Sequence, residues 1–167
     1  MISGTDGTNR FSTVESYNPL TDSWNEKAPL IVSKSEPSVG LLESTIVAAD
    51  GFSASGDTGD NERYNVSTNS WKSLTPDPTG RNEACSGAIN GQLYVAGGSH
   101  DGRTNNTTVN ESFNLSTTKW TTLAPIPNPV VAAGSAVNKG LLYCFGGGDN
   151  TVAFQARVFN FVQIYQP

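Results

Sequence analysis

Three octets constrain what this chain can fold into. YNPLTDSW (Tyr17 to Trp24), YNVSTNSW (Tyr64 to Trp71) and FNLSTTKW (Phe113 to Trp120) each set an aromatic, an asparagine and a tryptophan at the same offsets. All three tryptophans of the chain are used this way, and they stand 47 and 49 residues apart. A period near 48 defines a repeat architecture before any single motif is considered. Pro29, Pro76 and Pro125 follow their tryptophans by five residues, and Pro78 and Pro127 come two later. Lacking an N–H, each proline ends the strand that its tryptophan begins.

The rest of each period divides into short strand-like runs. A small-residue run comes first: PSVGLL (37–42), CSGAIN (85–90) and GSAVN (134–138). An apolar run follows, in which STIVAAD (44–50), QLYVAGG (92–98) and LLYCFGG (141–147) align at offsets of 48 and 49. The third run ends in the aromatic of the octet and the fourth starts at its tryptophan; we name the four a, b, c and d. Glu15, Glu62 and Glu111 stand two residues before their aromatics, as Gln163 does before Tyr165. In a strand that spacing puts both side chains on one face. No segment shows helical periodicity. Charged residues make up only 15% of the chain, against roughly 25% in soluble domains, which fits a turn-rich, all-β fold.

The Gly97–Gly98 and Gly146–Gly147 pairs closing run b, the aromatics Tyr17, Tyr64, Phe113 and Tyr165, and the tryptophans Trp24, Trp71 and Trp120 seven residues after the first three together resemble the kelch repeat. The resemblance covers nearly the whole chain and implies a kelch-type β-propeller built from four-stranded antiparallel blades. Glycine ending a strand permits the positive φ of a sharp exit. A large aromatic wedged between sheets buries about 150–250 Å². Departures occur: Ala49 and Asp50 stand at the aligned place of the double glycine in the second repeat, and Ser3 and Gly4 in the first. The arginine common at the start of run a appears once, as Arg81, with Ser33 and Val130 at the aligned places.

The expected organisation is a half blade at 1–34, full blades at 35–83 and 84–131, and an incomplete blade at 132–167. That makes two, four, four and three strands, thirteen in all, and an incomplete ring, since propellers close with about 4–8 blades. The count favours a fragment of a larger propeller. Head-to-tail self-association through the exposed blade faces is the alternative way to cover them.

Several function classes fall away. A net charge of −5 and a pI near 4.7 offer no basic patch for nucleic acid. No apolar run approaches the roughly 20 residues of a membrane helix, and MISGTDG lacks the features of a signal peptide. Glycosylation sequons begin at Asn65, Asn105, Asn106, Asn110 and Asn114, so the compartment stays open between cytoplasmic and extracellular. Cys85 and Cys144, both in apolar runs, are expected as buried free thiols. His100 is the single histidine, too few for a copper site, and no metal or cofactor is expected. Asp57, Asp60 and Glu62 lie close together in GDTGDNE, but not at EF-hand spacing, so they read as turn carboxylates rather than calcium ligands. Glu15, Glu62 and Glu111 recur once per blade and read as structural. No nucleophile-elbow, zinc-protease or phosphate-loop motif occurs, and the chain is not expected to be an enzyme.

The resemblance implies a protein-interaction module that uses the b-to-c and d-to-a loops on one propeller face. Loops on a rigid scaffold commonly carry function. The candidate contacts for an unidentified protein partner are Arg81, Asn82, Glu83, Ser99, His100, Asp101 and Arg103. The alternative is part of a propeller that binds or processes carbohydrate.

Overall fold

The computed structural model describes residues 1–102, 105–149 and 157–167. The first sheet holds β1 (Ile2–Thr5), β2 (Arg10–Asn18) and β3 (Ser23–Lys27). A short β4 (Lys34–Ser35) leads to β5 (Ser38–Leu42) and β6 (Thr45–Ala49), followed by the small strands β7 (Phe52–Ser53) and β8 (Gly56–Asp57). β9 (Asn61–Asn65) and β10 (Ser70–Leu74) complete the second sheet, ordered β5-β6-β9-β10. The third sheet contains β11 (Cys85–Ile89), β12 (Gln92–Ala96), β15 (Asn110–Asn114) and β16 (Lys119–Thr122), with the ribbon β13 (Ser99–His100) and β14 (Asn105–Asn106) between its second and third strands. The fourth holds β17 (Gly134–Asn138), β18 (Leu141–Phe145) and β21 (Val162–Tyr165), with the ribbon β19 (Gly148–Asp149) and β20 (Arg157–Val158).

All pairings among the described residues are antiparallel, neighbouring strands within each of the four blade sheets follow one another in chain order with the small ribbons inserted between, and no helix occurs among the described residues. The described residues form an all-β arc of four blade sheets whose ring is not closed. Backbone conformation explains the tight turns. Asn90–Gly91 and Lys139–Gly140 both have positive φ (50° and 75°, 51° and 76°), the geometry of a two-residue hairpin of type I′. The turn before each tryptophan needs one left-handed residue, filled by Asp22, Asn69 and Thr118.

The structure corrects four expectations. The first sheet has three strands: Ile2–Thr5 pairs with β2 in the register Ile2↔Val14 and Thr5↔Arg10, giving fourteen blade strands among the described residues instead of thirteen. That segment has too few apolar residues to read as a strand; its ladder to β2 supplies the order. In the second repeat the offset is 47 rather than 48. Asp50 and Gly51 (φ 59° and 118°) adopt the conformations of Gly97 and Gly98 (69° and 96°), so the exit is kept in an Asp–Gly form. The same shift makes Lys34, and not Ser33, the counterpart of Arg81. Finally, Cys85 and Cys144 are not free thiols: they form a disulfide with a Cα–Cα distance of 5.8 Å that joins β11 to β18.

The core lies between sheets rather than within them. Val14 and Leu30 meet Ala48; Leu42, Val47 and Ala49 meet Leu93, Val95 and Phe113; Cys85, Ile89, Tyr94 and Ala96 meet Leu142 and Cys144. Run a carries a glycine where the next sheet approaches most closely. A Cβ on Gly40 would sit 2.9 Å from Leu93, and one on Gly87 would sit 2.5 Å from Val137. The tryptophans couple the blades by hydrogen bonds. Trp71 Nε1 donates to the Ala28 carbonyl and Trp120 Nε1 to the Thr75 carbonyl, each at 2.9 Å and each in the segment that leaves the preceding sheet. Each ring also packs on the aromatic seven residues earlier, with centroids 5.2, 5.1 and 5.3 Å apart for Tyr17–Trp24, Tyr64–Trp71 and Phe113–Trp120.

Candidate partner-binding face

The d-to-a crossovers and the b-to-c loops converge because they pair with each other. β4 pairs with β7, joining Lys34 to Ser53 and Ser35 to Phe52. Asn82 exchanges backbone hydrogen bonds with Ser99, both 2.9 Å, and Val131 does the same with Gly148 at 3.1 and 3.0 Å. Neighbouring sheets are tied along the same end. Gly51 N donates to the Arg81 carbonyl at 2.7 Å, Gly98 N to Val130 at 2.8 Å, and Ala132 N to Glu83 at 3.0 Å. The Asp57 carboxylate accepts from Gly102 N at 2.8 Å and also from the Asn82 side chain, bridging the second and third sheets.

Beneath this rim lies a repeated brace. In the second, third and fourth sheets the residue two before the aromatic pins the incoming crossover. Glu62 accepts from Ile31 N and Val32 N at 2.7 and 3.2 Å; Gln163 accepts from Asn128 N at 2.8 Å and donates to its carbonyl at 3.0 Å. Glu111 takes Arg81 at 2.6 Å. Lys34 lies 3.7 Å from Glu62 and donates to the Asp60 carbonyl at 2.7 Å. Burial holds the Lys34 ammonium below its usual range, with Glu62 opposing that shift. The recurrent glutamates at positions 62 and 111 are thus structural, as their period suggested. The GDTGDNE carboxylates diverge to separate partners: Asp57 to Gly102, Asp60 to the Thr58 hydroxyl at 2.5 Å, and Glu62 to the crossover.

The predicted contact residues separate into two levels. Arg81, Asn82 and Ser99 are completely buried. Arg81 spends its guanidinium on Asp77 at 3.1 Å, on Glu111 and on the Val109 carbonyl at 3.2 Å. These three therefore build the frame under the face. Glu83, His100 and Asp101 reach the rim. His100 Nδ1 and Asp101 Oδ2 are 3.0 Å apart, with side chains 33% and 64% exposed. Hydrogen bonding from Asn105, then from His100, holds the Asp101 carboxyl below its ordinary range. Arg103 lies outside the described residues. Beside Glu83, a groove of about 390 Å³ between the third and fourth sheets is lined by Val131, Ala132, Gly147, Gly148 and Arg157. A larger cavity of about 500 Å³ opens elsewhere, between the first and second sheets, against Met1, Val14, Ile46 and Trp71. Asp57 was missed as a rim residue because nothing local signals its partners, which lie 25 and 45 residues away.

Sequence comparison agrees with this geometry. The Kelch motif family matches residues 3–31 and 80–127, which hold the first sheet and the third sheet with its crossover. The chain carries kelch repeats. Between the two matched stretches lies the second sheet, where Lys34 and Asp50 take the places that Arg81 and Gly97 hold in the third. Kelch-like protein 15 of Danio rerio is 31% identical over 87 residues, 52% of this chain and 14% of that protein. Kelch-like protein 40 of Xenopus tropicalis is 33% identical over 82 residues, 49% of this chain and 13% of that protein. The matched region is thus about a seventh of the length of these relatives.

Proposed function

We propose that this chain is a non-enzymatic binding module that recruits a protein partner through the rim of paired crossovers and b-to-c ribbons. The observation that carries the reading is the division of labour at that end. Buried ion pairs and backbone bridges fix the frame, while Glu83, His100 and Asp101 keep solvent exposure at the rim, Glu83 beside a groove with glycine backbone in its wall. A rigid scaffold holding exposed polar side chains around a shallow groove suits an extended polypeptide. The kelch repeats and the Kelch-like relatives support the same class of function.

Peptide and glycan arrays probed in parallel test it. Selected peptides should bind, and the Glu83→Ala/His100→Ala/Asp101→Ala variant should lose about tenfold or more in affinity, as loss of interface anchors of 1.4 kcal/mol or more implies, with its unfolding curve unchanged. Selective binding of a sugar, with no peptide retained, would overturn it.

The outer face of the fourth sheet supports self-association as a second contact. Phe145, Val162 and Ile164 are all exposed there. Sedimentation equilibrium should show a concentration-dependent dimer, and a monomer at all concentrations would remove this contact.

A further inference from the structure

Six charged side chains are sealed around the crossover from the second to the third sheet: Lys34, Asp50, Glu62, Asp77, Arg81 and Glu111. Two cations thus face four carboxyl groups. Glu62 is satisfied by two backbone amides and Lys34, Glu111 by Arg81 and the Thr79 and Thr122 hydroxyls, and Asp77 by Thr79 N and Arg81. Asp50 differs: neither of its buried carboxylate oxygens receives a hydrogen bond from an amide, a hydroxyl or a cation, and the polar group beside them is the carboxyl of Asp77. The fold does not require an acid at this place, since Ser3, Gly97 and Gly146 hold the equivalent left-handed position in the other sheets. An unpaired buried carboxylate is relieved by binding a proton.

We propose that this cluster is a proton-linked latch on the crossover at residues 75–82. Asp50 and Asp77 hold protons while the crossover is seated and release them as it opens, so rising pH loosens the junction between the second and third sheets. The groups that face this pair come from every packed element. Lys34 lies on the preceding crossover, Arg81 on the crossover itself and Glu111 on β15, while Glu62 on β9 and Asp60 just before it face Lys34. Burial raises the Asp50 carboxyl well above its ordinary 3.8, with Asp77 adding to that effect and Arg81 and Lys34 opposing it. Burial also pushes Asp77 up to about 7 against the pull of Arg81. The sign follows from linkage. Both acids keep a proton in the folded state at pH values where the unfolded chain has lost it, so stability falls as pH rises above about 4, and Asp77's share of the loss is complete only above about 7. Each extra proton held makes opening up to about tenfold more favourable per pH unit. The latch is independent of what binds the rim.

Amide hydrogen exchange of residues 75–82 between about pH 5 and 7.5, scaled to intrinsic rates, reads the opening equilibrium directly. The wild type should open more as pH rises, by up to about tenfold per unit for one proton. Asp50→Gly, which places at 50 the residue found at 97 and 146, should lose half or more of that slope, and Asp50→Asn should do the same. Protection that does not vary with pH in the wild type, or a full slope in both variants, overturns the proposal. Infrared spectroscopy of the wild type gives a check that needs no variant. A protonated carboxyl stretch should persist near neutral pH, and its absence there would also overturn the latch.

Discussion

Thr118 holds a left-handed backbone conformation, φ 54°, that a β-branched side chain resists. The equivalent turn residues are Asp22 and Asn69, types that tolerate this region, and Asn69 also accepts from the Tyr64 hydroxyl and from Ala28 N. Thr118→Asn should therefore raise stability by about 1 kcal/mol, the scale of the left-handed penalty, seen as a higher urea midpoint with unchanged slope. An equal or lower midpoint would contradict the strain argument. At this scale the sequence speaks clearly where chemistry repeats: the aromatic–tryptophan pairs and the glutamates at 62 and 111 have the places their period assigns. It misleads where a backbone conformation is kept by a different residue type. Asp50 does not look like half of a glycine pair, and aligning on glycine alone displaced the second repeat by one residue. Arg81 illustrates the other failure, because a charged side chain beside a loop gives no local sign that buried carboxylates 4 and 30 residues away will claim it.

At the scale of the strand, the glycines at 40 and 87 matter through space rather than φ. Gly87→Ala puts a methyl group within 2.5 Å of Val137 and 2.9 Å of Leu142 in the next sheet. Overpacking of this kind costs about 1–3 kcal/mol. Chemical denaturation should show that loss, with the third and fourth sheets less well coupled, and an unchanged midpoint would mean the sheets part freely. The blade strands were readable because each alternates or ends in a marked turn. β1 and the small ribbons β7–β8, β13–β14 and β19–β20 were not. Their order comes from pairing with the crossovers and with each other, which no window of residues displays.

At the scale of the molecule, consecutive kelch sheets are held by wedged tryptophans, by crossover pins and, between the third and fourth, by one covalent bond. The bridged cysteines are 59 residues apart. Closing a loop of that size constrains the unfolded chain by about 4 kcal/mol. Reduction should lower stability by roughly that amount, measured by denaturation with and without reductant. Identical curves would show that the fourth sheet docks without the bond. This bridge was invisible in the sequence because Cys85 and Cys144 belong to different blades, and only the stacking of the blades brings them together. The same stacking gathers the crossovers and ribbons into the rim on which the functional reading depends. The most direct test of that reading is an NMR footprint of an array-selected peptide on the isotopically labelled chain. Shifts should be confined to Glu83–Ala84, Ser99–Gly102, Val131–Ala132 and Gly147–Asp149; a footprint on the outer strands around Trp71 and Trp120, with the rim unmoved, would contradict partner binding at the rim.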